Sequence, residues 1–148
     1  MITIRNVSKI YPPKIVALSD VDIVIDSGEF ISIVGPSGAG KSTLIRLLIA
    51  QERPTKGEIS IGGKDITRLR ARQVPYYRRK IGVVWQDFKL LRNKTVFENI
   101  AYALEVVERP AAEIRSKVPQ ILKLVGLEGK EDRFPQELSG GEVQRTAI

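Results

Sequence analysis

The feature that most constrains the fold of this chain is a glycine-rich segment, residues 35–42, with the sequence GPSGAGKS. It fits the pattern GxxxxGK[ST], in which a loop joins a strand to a helix and wraps around phosphate groups. A short apolar run, residues 30–34, precedes the loop, and residues 42–50 follow it with leucines at helical spacing. The pattern therefore predicts a strand buried on both faces, a phosphate-binding loop and an amphipathic helix.

The residue types in this loop suit a nucleoside triphosphate. Glycines let successive backbone N–H groups point at one centre, and the start of the helix adds roughly half a positive charge there. We expect Lys41 to bridge the β- and γ-phosphates, the Ser42 hydroxyl to bind Mg²⁺ and Thr43 to help hold the remaining phosphate oxygens. The residues expected at the phosphates are Gly35, Pro36, Ser37, Gly38, Ala39, Gly40, Lys41, Ser42 and Thr43.

The amino-acid composition removes several classes of protein. The 148 residues contain no histidine and no cysteine, which excludes the usual zinc enzymes, Ser-His hydrolases and disulfide-stabilised folds. Hydrophobic residues make up 43% of the chain and charged residues 28%, proportions typical of a globular domain. No apolar run approaches the roughly 20 residues that span a bilayer, and the polar start MITIRNVSKIY is not typical of a signal peptide. We therefore expect a cytoplasmic protein.

Charge is distributed unevenly along the chain. There are 24 Lys and Arg against 17 Asp and Glu, a net charge of +7, and basic residues cluster between Arg68 and Arg79. Such a cluster is typical of a solvated face or of a surface that meets an acidic partner, and anionic lipid is an alternative. Nucleic acid is not expected, since neither interleaved aromatic residues nor a recognition helix accompanies the basic residues.

The remaining segments predict an N-terminal sheet and a C-terminal helical part. Alternating apolar and polar residues indicate half-buried strands, and a second apolar run indicates another buried strand. These predicted strands are residues 2–7, 21–25, 58–61 and 81–85. Further on, Thr95 and Glu98 have the spacing of a capping box that opens a helix to about residue 107. Pro110 begins the next predicted helix, and Ser139 caps the last one.

A second glycine motif lies at the start of that last helix. Taken alone, Ser-Gly-Gly before a helix is an ordinary Ser-capped helix start, whose amides can also hold an anion. Together with the phosphate loop, it resembles the signature of the ATP-binding cassette (ABC) family, which reaches across a dimer to the γ-phosphate held by the partner's loop. The residues that match this signature are Leu138, Ser139, Gly140, Gly141 and Glu142, followed by Gln144 and Arg145.

The resemblance to the ABC family implies a fold, cofactors and further site residues. The fold is an α/β P-loop NTPase of the ABC ATPase type, with an antiparallel β part and a RecA-like core in residues 1–90 and a helical subdomain in residues 91–148. The cofactors are ATP and Mg²⁺. Tyr11 resembles the aromatic residue that stacks on adenine, and Gln86 resembles the glutamine that binds Mg²⁺ and senses a membrane partner. Without the resemblance, Tyr11 is typical of a loop aromatic packed on Pro12, and Gln86 of a surface residue at a strand end.

Within the family, the chain resembles cell-division ATPases of the FtsE type. The matching segments are residues 53–57, 65–69, 74–75, 78–82, 86–91 and 95–96. This resemblance implies a homodimer that binds an integral membrane partner of the FtsX type at the inner face of the cell membrane, with the basic cluster near anionic lipid or near the partner. ATPases of lipoprotein-release and macrolide-export transporters share much of the pattern and are an alternative. A nucleotide-regulated tether with little turnover is an alternative of another class.

The family pattern continues beyond the signature, whereas this sequence ends at Ile148. In the family, the later residues include a magnesium-binding aspartate, the catalytic glutamate and a switch histidine. The resemblance therefore implies that these 148 residues contain no catalytic group and bind nucleotide without meaningful turnover. Residues 30–34 and 81–85 would also lack a neighbouring strand, which favours self-association or a sheet different from that of the family.

Overall fold

The computed structural model describes residues 1–148, which form two compact units. The first unit is Met1–Ile81 and the second is Gly82–Ile148. The first unit holds all four strands and the first two helices, and the second holds the remaining three helices. None of the helices combines the length and the apolarity that crossing a bilayer requires.

The first unit is built on an antiparallel sheet with the strand order β2-β1-β3-β4. The strands are β1 (Ile2–Tyr11), β2 (Ile15–Ile25), β3 (Lys56–Ile61) and β4 (Lys64–Asp65). Ile4 of β1 pairs with Ile23 on one side and with Ile59 on the other. The alternation that predicted β1, β2 and β3 is confirmed, since one face of the sheet is apolar and packed.

Two helices accompany this sheet. They are α1 (Lys41–Leu48) and, after a 3₁₀ turn (Ala71–Gln73), α2 (Val74–Arg78). Leu44 and Leu47 of α1 are buried against strand residues, and burying a leucine side chain contributes about 1.5–3 kcal/mol. The leucine spacing thus predicted α1 correctly. The buried residues of this core are Ile4, Val7, Leu44, Leu47, Ile59, Ile66 and Leu69.

The two apolar runs predicted as buried strands do not form strands. Residues 30–34 and 81–85 have no regular secondary structure and pair with no strand. Phe30 is 94% exposed, Val34 86% and Val84 50%. A strand that is buried on both faces needs hydrogen-bonded neighbours at its edges and cover over its faces, and no segment of these 148 residues provides either. The prediction of two buried strands is therefore wrong for this structure, whose one sheet is wholly antiparallel.

The second unit consists of helices that begin at the predicted caps. They are α3 (Val96–Val106), α4 (Ala111–Leu124) and α5 (Gly140–Ala147), with a 3₁₀ turn (Pro135–Glu137) before α5. At the start of α3, Glu98 N donates to Thr95 Oγ1 at 3.2 Å, and Thr95 N donates to Glu98 Oε2 at 2.8 Å. The predicted capping box is thus confirmed. The buried residues of this second core are Val96, Ile100, Ala101, Ile114, Val118, Leu122 and Leu127.

Candidate nucleotide-binding site

A glycine fixes the start of α1 against β2. Gly40 stands at the N-cap position with a φ of 86°, in the left-handed region that favours glycine. A Cβ at this position would lie 2.3 Å from the carbonyl oxygen of Ala17 and 2.8 Å from Cδ2 of Leu18. No other residue suits both this conformation and this close contact, so β2 determines where the loop turns into the helix.

The first turn of α1 is open to an anion. No side chain caps its amides, and no acidic residue lies in it. Residues 35–39 of the preceding loop are exposed, and Ala39 N donates to Pro36 O at 3.2 Å. The unpaired amides at a helix N-terminus and the positive end of its dipole attract negative charge. This arrangement can hold the oxygens of a phosphate group.

The Lys41 ammonium group is bound by its own loop. Its Nζ donates to the carbonyl oxygens of Gly35 and Pro36, at 2.7 Å in each case. A hydrogen bond between two charged groups is stronger than one to a neutral carbonyl. A phosphate in the loop would therefore compete well for this ammonium, which gives the loop a positive point charge.

The two hydroxyl residues after Lys41 differ in accessibility. Ser42 is exposed, whereas Thr43 is 7% exposed, and its hydroxyl lies 3.5 Å from that of Tyr11. Mg²⁺ binds oxygen ligands and commonly takes several of them from phosphates. No group of three or more acidic residues in the chain could hold a metal by itself. The exposed Ser42 hydroxyl thus fits a magnesium ion that is held chiefly by bound phosphates.

Tyr11 ends β1 beside the first turn of α1. Besides the contact with Thr43, its ring lies 5.0 Å from Nζ of Lys9, a cation–π distance. The side chain is half-buried. The structure thus brings Tyr11 close to the helix that follows the phosphate loop, while its stacking on adenine stays a prediction.

Glu52, which the sequence analysis did not single out, joins this group. Its carboxylate pairs with Lys9 Nζ at 3.1 Å and with Arg46 Nη1 at 3.7 Å. A hydrogen bond from the Tyr11 hydroxyl, followed by the nearby Lys9 ammonium, lowers the pKa of Glu52. Residues 9, 11 and 52 share no motif or periodic pattern, so only the folded chain reveals that they meet.

The signature residues lie in the second unit, at the start of α5. Ser139 Oγ accepts a hydrogen bond from Glu142 N at 3.4 Å, and Ser139 N donates to Glu142 Oε2 at 2.8 Å. The bond from Ser139 N to the Glu142 carboxylate, and a second one that Ser139 Oγ donates to it at 2.9 Å, lower the pKa of Glu142, and Lys130 Nζ adds to the effect from 3.5 Å. Gly140 and Gly141 are exposed, and Leu138 packs on the core of the unit. The local geometry is that of the capped helix start that the sequence predicted.

Gln86 also lies in the second unit. It is exposed and stands in a turn with Asp87, in which Phe88 N donates to Trp85 O at 2.9 Å. The residues after this turn and those around the start of α5 line one cleft of about 380 Å³. The lining residues are Asp87, Phe88, Leu90, Arg92, Pro135, Gln136 and Val143. The predicted site residues are thus divided, with Tyr11 and residues 35–43 in the first unit and Gln86 and residues 138–142 in the second.

Comparison with known proteins identifies the family of this chain. Residues 18–148 match the family described as "ABC transporter". The chain is 49% identical over 148 residues to the cell division ATP-binding protein FtsE of Bacillus subtilis and 50% identical over 149 residues to that of Mycobacterium tuberculosis. All of the chain is covered in both cases, and it spans 65% of the length of each relative. It is also 46% identical over 151 residues to the methionine import ATP-binding protein MetN 1 of Bacillus thuringiensis, of which it covers 44%.

Solved structures of ATP-binding cassettes have the same fold as this chain. The dimeric ATP-binding cassette MJ0796, in a post-hydrolysis state bound to ADP and Pi, superposes with a TM-score of 0.90 at 37% identity. The match covers 99% of this chain and 67% of that one. A second dimeric structure of the same bacterial ABC transporter cassette gives a TM-score of 0.91 at 38% identity. The chain therefore belongs to the ABC transporter family and has the α/β P-loop fold of its ATPase cassettes.

Proposed function

We propose that this chain is part of an ATP-binding subunit, which binds Mg-ATP at residues 35–43 and, in the intact protein, hydrolyses it as a homodimer to drive a membrane partner. The observation that carries the proposal is the first turn of α1. It combines uncapped amides, the Lys41 ammonium group and an exposed Ser42 hydroxyl. A triphosphate with its metal requires this set of donors, positive charge and oxygen ligand.

Each of these groups has a separate task in the proposed reaction. The loop amides hold phosphate oxygens, and Lys41 offsets negative charge on the β- and γ-phosphates. Mg²⁺ held by Ser42 would neutralise further phosphate charge, and a role for Gln86 in binding that ion stays a prediction. The Tyr11 ring stacks on the adenine base, and stacking of this kind contributes roughly 1–3 kcal/mol.

The homodimer is proposed because the start of α5 resembles the ABC signature, which in that family reaches the γ-phosphate held by the partner's loop. In the proposed assembly, the signature of a second copy reaches the γ-phosphate. Ser139, Gly140 and Gly141 are exposed, and a Cβ at Gly140 would meet nothing within 4 Å, so the start of α5 is accessible. The dimeric state of the related cassettes supports this arrangement.

Cell division is the proposed process, with an integral membrane partner of the FtsX type at the inner face of the membrane. Two relatives with 49% and 50% identity are named for cell division, which supports this choice. Methionine import is a second candidate, because a relative with 46% identity is named for it. Loss of the gene should impair division under the first proposal and methionine uptake under the second. The lipoprotein-release, macrolide-export and tether alternatives stay predictions.

Calorimetric titration of Mg-ATP into the chain tests the nucleotide site. Replacing Lys41 by alanine removes a charged hydrogen-bond donor, so we expect Lys41→Ala to weaken binding roughly tenfold to a hundredfold. Lys123→Ala is the matched control, because Lys123 is exposed on α4 in the second unit. Equal affinities for the wild-type chain and Lys41→Ala would refute the proposed site.

A phosphate-release assay tests the expectation that these 148 residues bind without turnover. The wild-type chain should release phosphate no faster than Lys41→Ala. Faster release would show that a water-activating group lies within the 148 residues, contrary to what the resemblance implies.

A further inference from the structure

Nearly all of the net charge of the chain resides in one short segment of the first unit. Residues 64–80, here called the basic face, contain seven basic residues and one acidic residue, so they carry six of the seven net positive charges. The remainder of the chain is close to neutral. The basic residues of this face are Lys64, Arg68, Arg70, Arg72, Arg78, Arg79 and Lys80.

Four of these cations are not used by the fold. Arg68 pairs with Asp65 at 3.3 Å, the only carboxylate of the face. Four other basic side chains have no hydrogen-bond or ion-pair partner, and all four are exposed. They are Lys64, Arg70, Arg72 and Lys80. Unpaired positive charges concentrated in one exposed segment attract an anionic surface.

A cavity of about 540 Å³ is lined mostly by residues of the basic face. Two of the unpaired cations, Lys64 and Lys80, line it together with apolar and aromatic side chains. The apolar and aromatic lining comprises Ile61, Ile66, Ile81, Tyr76 and Tyr77. Tyr76 is 66% exposed, and its ring lies 5.2 Å from the guanidinium carbon of Arg79. An apolar cavity beside cations and an exposed tyrosine matches the boundary between lipid headgroups and acyl chains, where tyrosine is enriched.

The basic face is held firmly to the helix that follows the phosphate loop. The Tyr77 hydroxyl donates to Leu48 O, and the Arg78 side chain donates to the carbonyl oxygens of Ile49 and Ala50, at 3.0 Å in both cases. These bonds satisfy carbonyls at the C-terminal end of α1. The cations are therefore presented from a fixed scaffold, which lowers the entropy cost of binding.

We propose that the basic face binds anionic phospholipid at the membrane surface. Lys64, Arg70, Arg72 and Lys80 contact lipid phosphates, and the cavity takes up the apolar part of a lipid beside Tyr76. The proposal rests on the proposed function, which places the protein at a membrane. Nucleic acid fits less well, because Tyr76 is the one strongly exposed aromatic side chain of the face, and single strands are bound by several stacked aromatics.

Co-sedimentation with lipid vesicles tests this proposal. The chain should bind vesicles of equal parts phosphatidylglycerol and phosphatidylcholine, and should not bind phosphatidylcholine alone. Binding should weaken with salt, because the Debye length falls from about 10 Å at 0.1 M to about 3 Å at 1 M. Each basic residue near an anionic surface is worth about a fivefold change in affinity, so Arg70→Glu/Arg72→Glu should weaken binding at least about tenfold. Tyr76→Ala should cause a smaller loss that persists at high salt.

Arg115→Glu/Lys123→Glu is the matched control, since it makes the same change in charge at exposed positions of α4 in the second unit. An equal loss in this control would overturn the proposal, because binding would then follow total charge alone. Tighter binding to a single-stranded RNA homopolymer than to vesicles, abolished by Arg70→Glu/Arg72→Glu, would overturn it in favour of nucleic acid.

Calorimetry with Mg-ATP on the same variants separates this proposal from the proposed function. Arg70→Glu/Arg72→Glu should keep the Mg-ATP affinity of the wild-type chain. Loss of vesicle binding alone rejects the lipid proposal and leaves the nucleotide site standing, whereas vesicle binding without any Mg-ATP binding rejects the nucleotide site.

Discussion

Two helices, α1 and α5, each begin at a glycine-rich sequence that was predicted to face phosphate, yet their first turns are built differently. At α1, Gly40 stands at the N-cap in a left-handed conformation without a side-chain cap, and no acidic residue follows. At α5, Ser139 caps the helix and exchanges hydrogen bonds with Glu142. No side chain caps the amides of α1, which leaves them for an external anion, whereas at α5 the Glu142 amide is capped by the Ser139 hydroxyl.

This difference separates two kinds of phosphate contact. The first turn of α1 adds the Lys41 charge to its amides, so it can bind an anion by itself. The first turn of α5 carries the Glu142 carboxylate, which repels a phosphate and offsets the helix dipole. The start of α5 is therefore less able than that of α1 to bind a phosphate by itself, and in the homodimer proposal it contacts one that the partner's loop already holds.

The two helices also differ in what holds them. Gly40 packs on Ala17 and Leu18 of β2, and Arg78 binds the carbonyls just after the other end of α1. These partners are distant in sequence. The start of α5 is held by Ser139 and Glu142, which are three residues apart. A substitution at Gly40 should therefore disturb tertiary structure, whereas one at Ser139 should disturb mainly the first turn of α5.

The largest effect is expected from Gly40→Ala. The new Cβ would lie 2.3 Å from Ala17 O in a left-handed conformation, so something must shift. The steric clash and the unfavourable backbone conformation together should lower the free energy of unfolding by about 3 kcal/mol or more. They should also abolish Mg-ATP binding. Urea denaturation followed by far-ultraviolet circular dichroism measures the first effect, and calorimetry the second.

Gly38→Ala is the control for this prediction. Gly38 also has a positive φ, of 82°, but a Cβ there would meet nothing within 4 Å. Gly38→Ala should lower the free energy of unfolding by only about 1–2 kcal/mol, because only the backbone conformation is strained. Equal destabilisation by the two substitutions would show that the contact with β2 does not hold the start of α1.

The contrast between local and distant contacts also explains how much of the fold the sequence predicts. The starts of α3 and α5 were predicted from Thr95 and Ser139, because a capping residue and its partner lie within one turn. Residues 30–34 and 81–85 were predicted as buried strands from apolar composition alone. A strand also needs partners, and a single segment carries no information on whether they are present.

The candidate site shows the same limit. Residues 35–43 were found from one contiguous motif, because the loop and the helix start are neighbours in the chain. The approach of Tyr11 to Thr43 and the pairing of Lys9 with Glu52 were not derivable from the residues, since they depend on how β1 packs beside α1. The anchoring of α1 by Tyr77 and Arg78 was missed for the same reason.

A smaller effect is expected from Tyr77→Phe, which tests the other end of α1. The substitution removes the hydrogen bond to Leu48 O and should cost roughly 1–2 kcal/mol of stability at neutral pH. Tyr76→Phe is the control, because Tyr76 is the exposed neighbour and its ring is retained. If the two variants have the same urea midpoint, the hydrogen bond from Tyr77 does not anchor the C-terminal end of α1.

The titration of Tyr77 gives an independent check on this anchor. Burial raises the pKa of Tyr77 from 10.0 to about 12, so the folded chain favours the neutral phenol. The stabilisation is complete below pH 10 and is lost as the pH rises through about 12. Ultraviolet absorbance of tyrosinate should show a late ionisation step, and Tyr77→Phe should remove it.

The smallest effect is expected from Ser139→Ala, which removes a cap whose partners are local. The loss should be about 1 kcal/mol of stability, since a lost cap frays one turn. Ser116→Ala makes the same chemical change inside α4, where alanine is favoured, and should not destabilise the chain.

Because the hydrogen bonds from Ser139 lower the pKa of Glu142, their contribution to stability is present above pH 4.5 and is lost as the pH falls through the lowered pKa. Ser139→Ala should flatten that acid dependence, which urea denaturation at pH 3 to 7 measures. An acid dependence equal to that of the wild-type chain would contradict a role for the Ser139 hydrogen bonds at the start of α5.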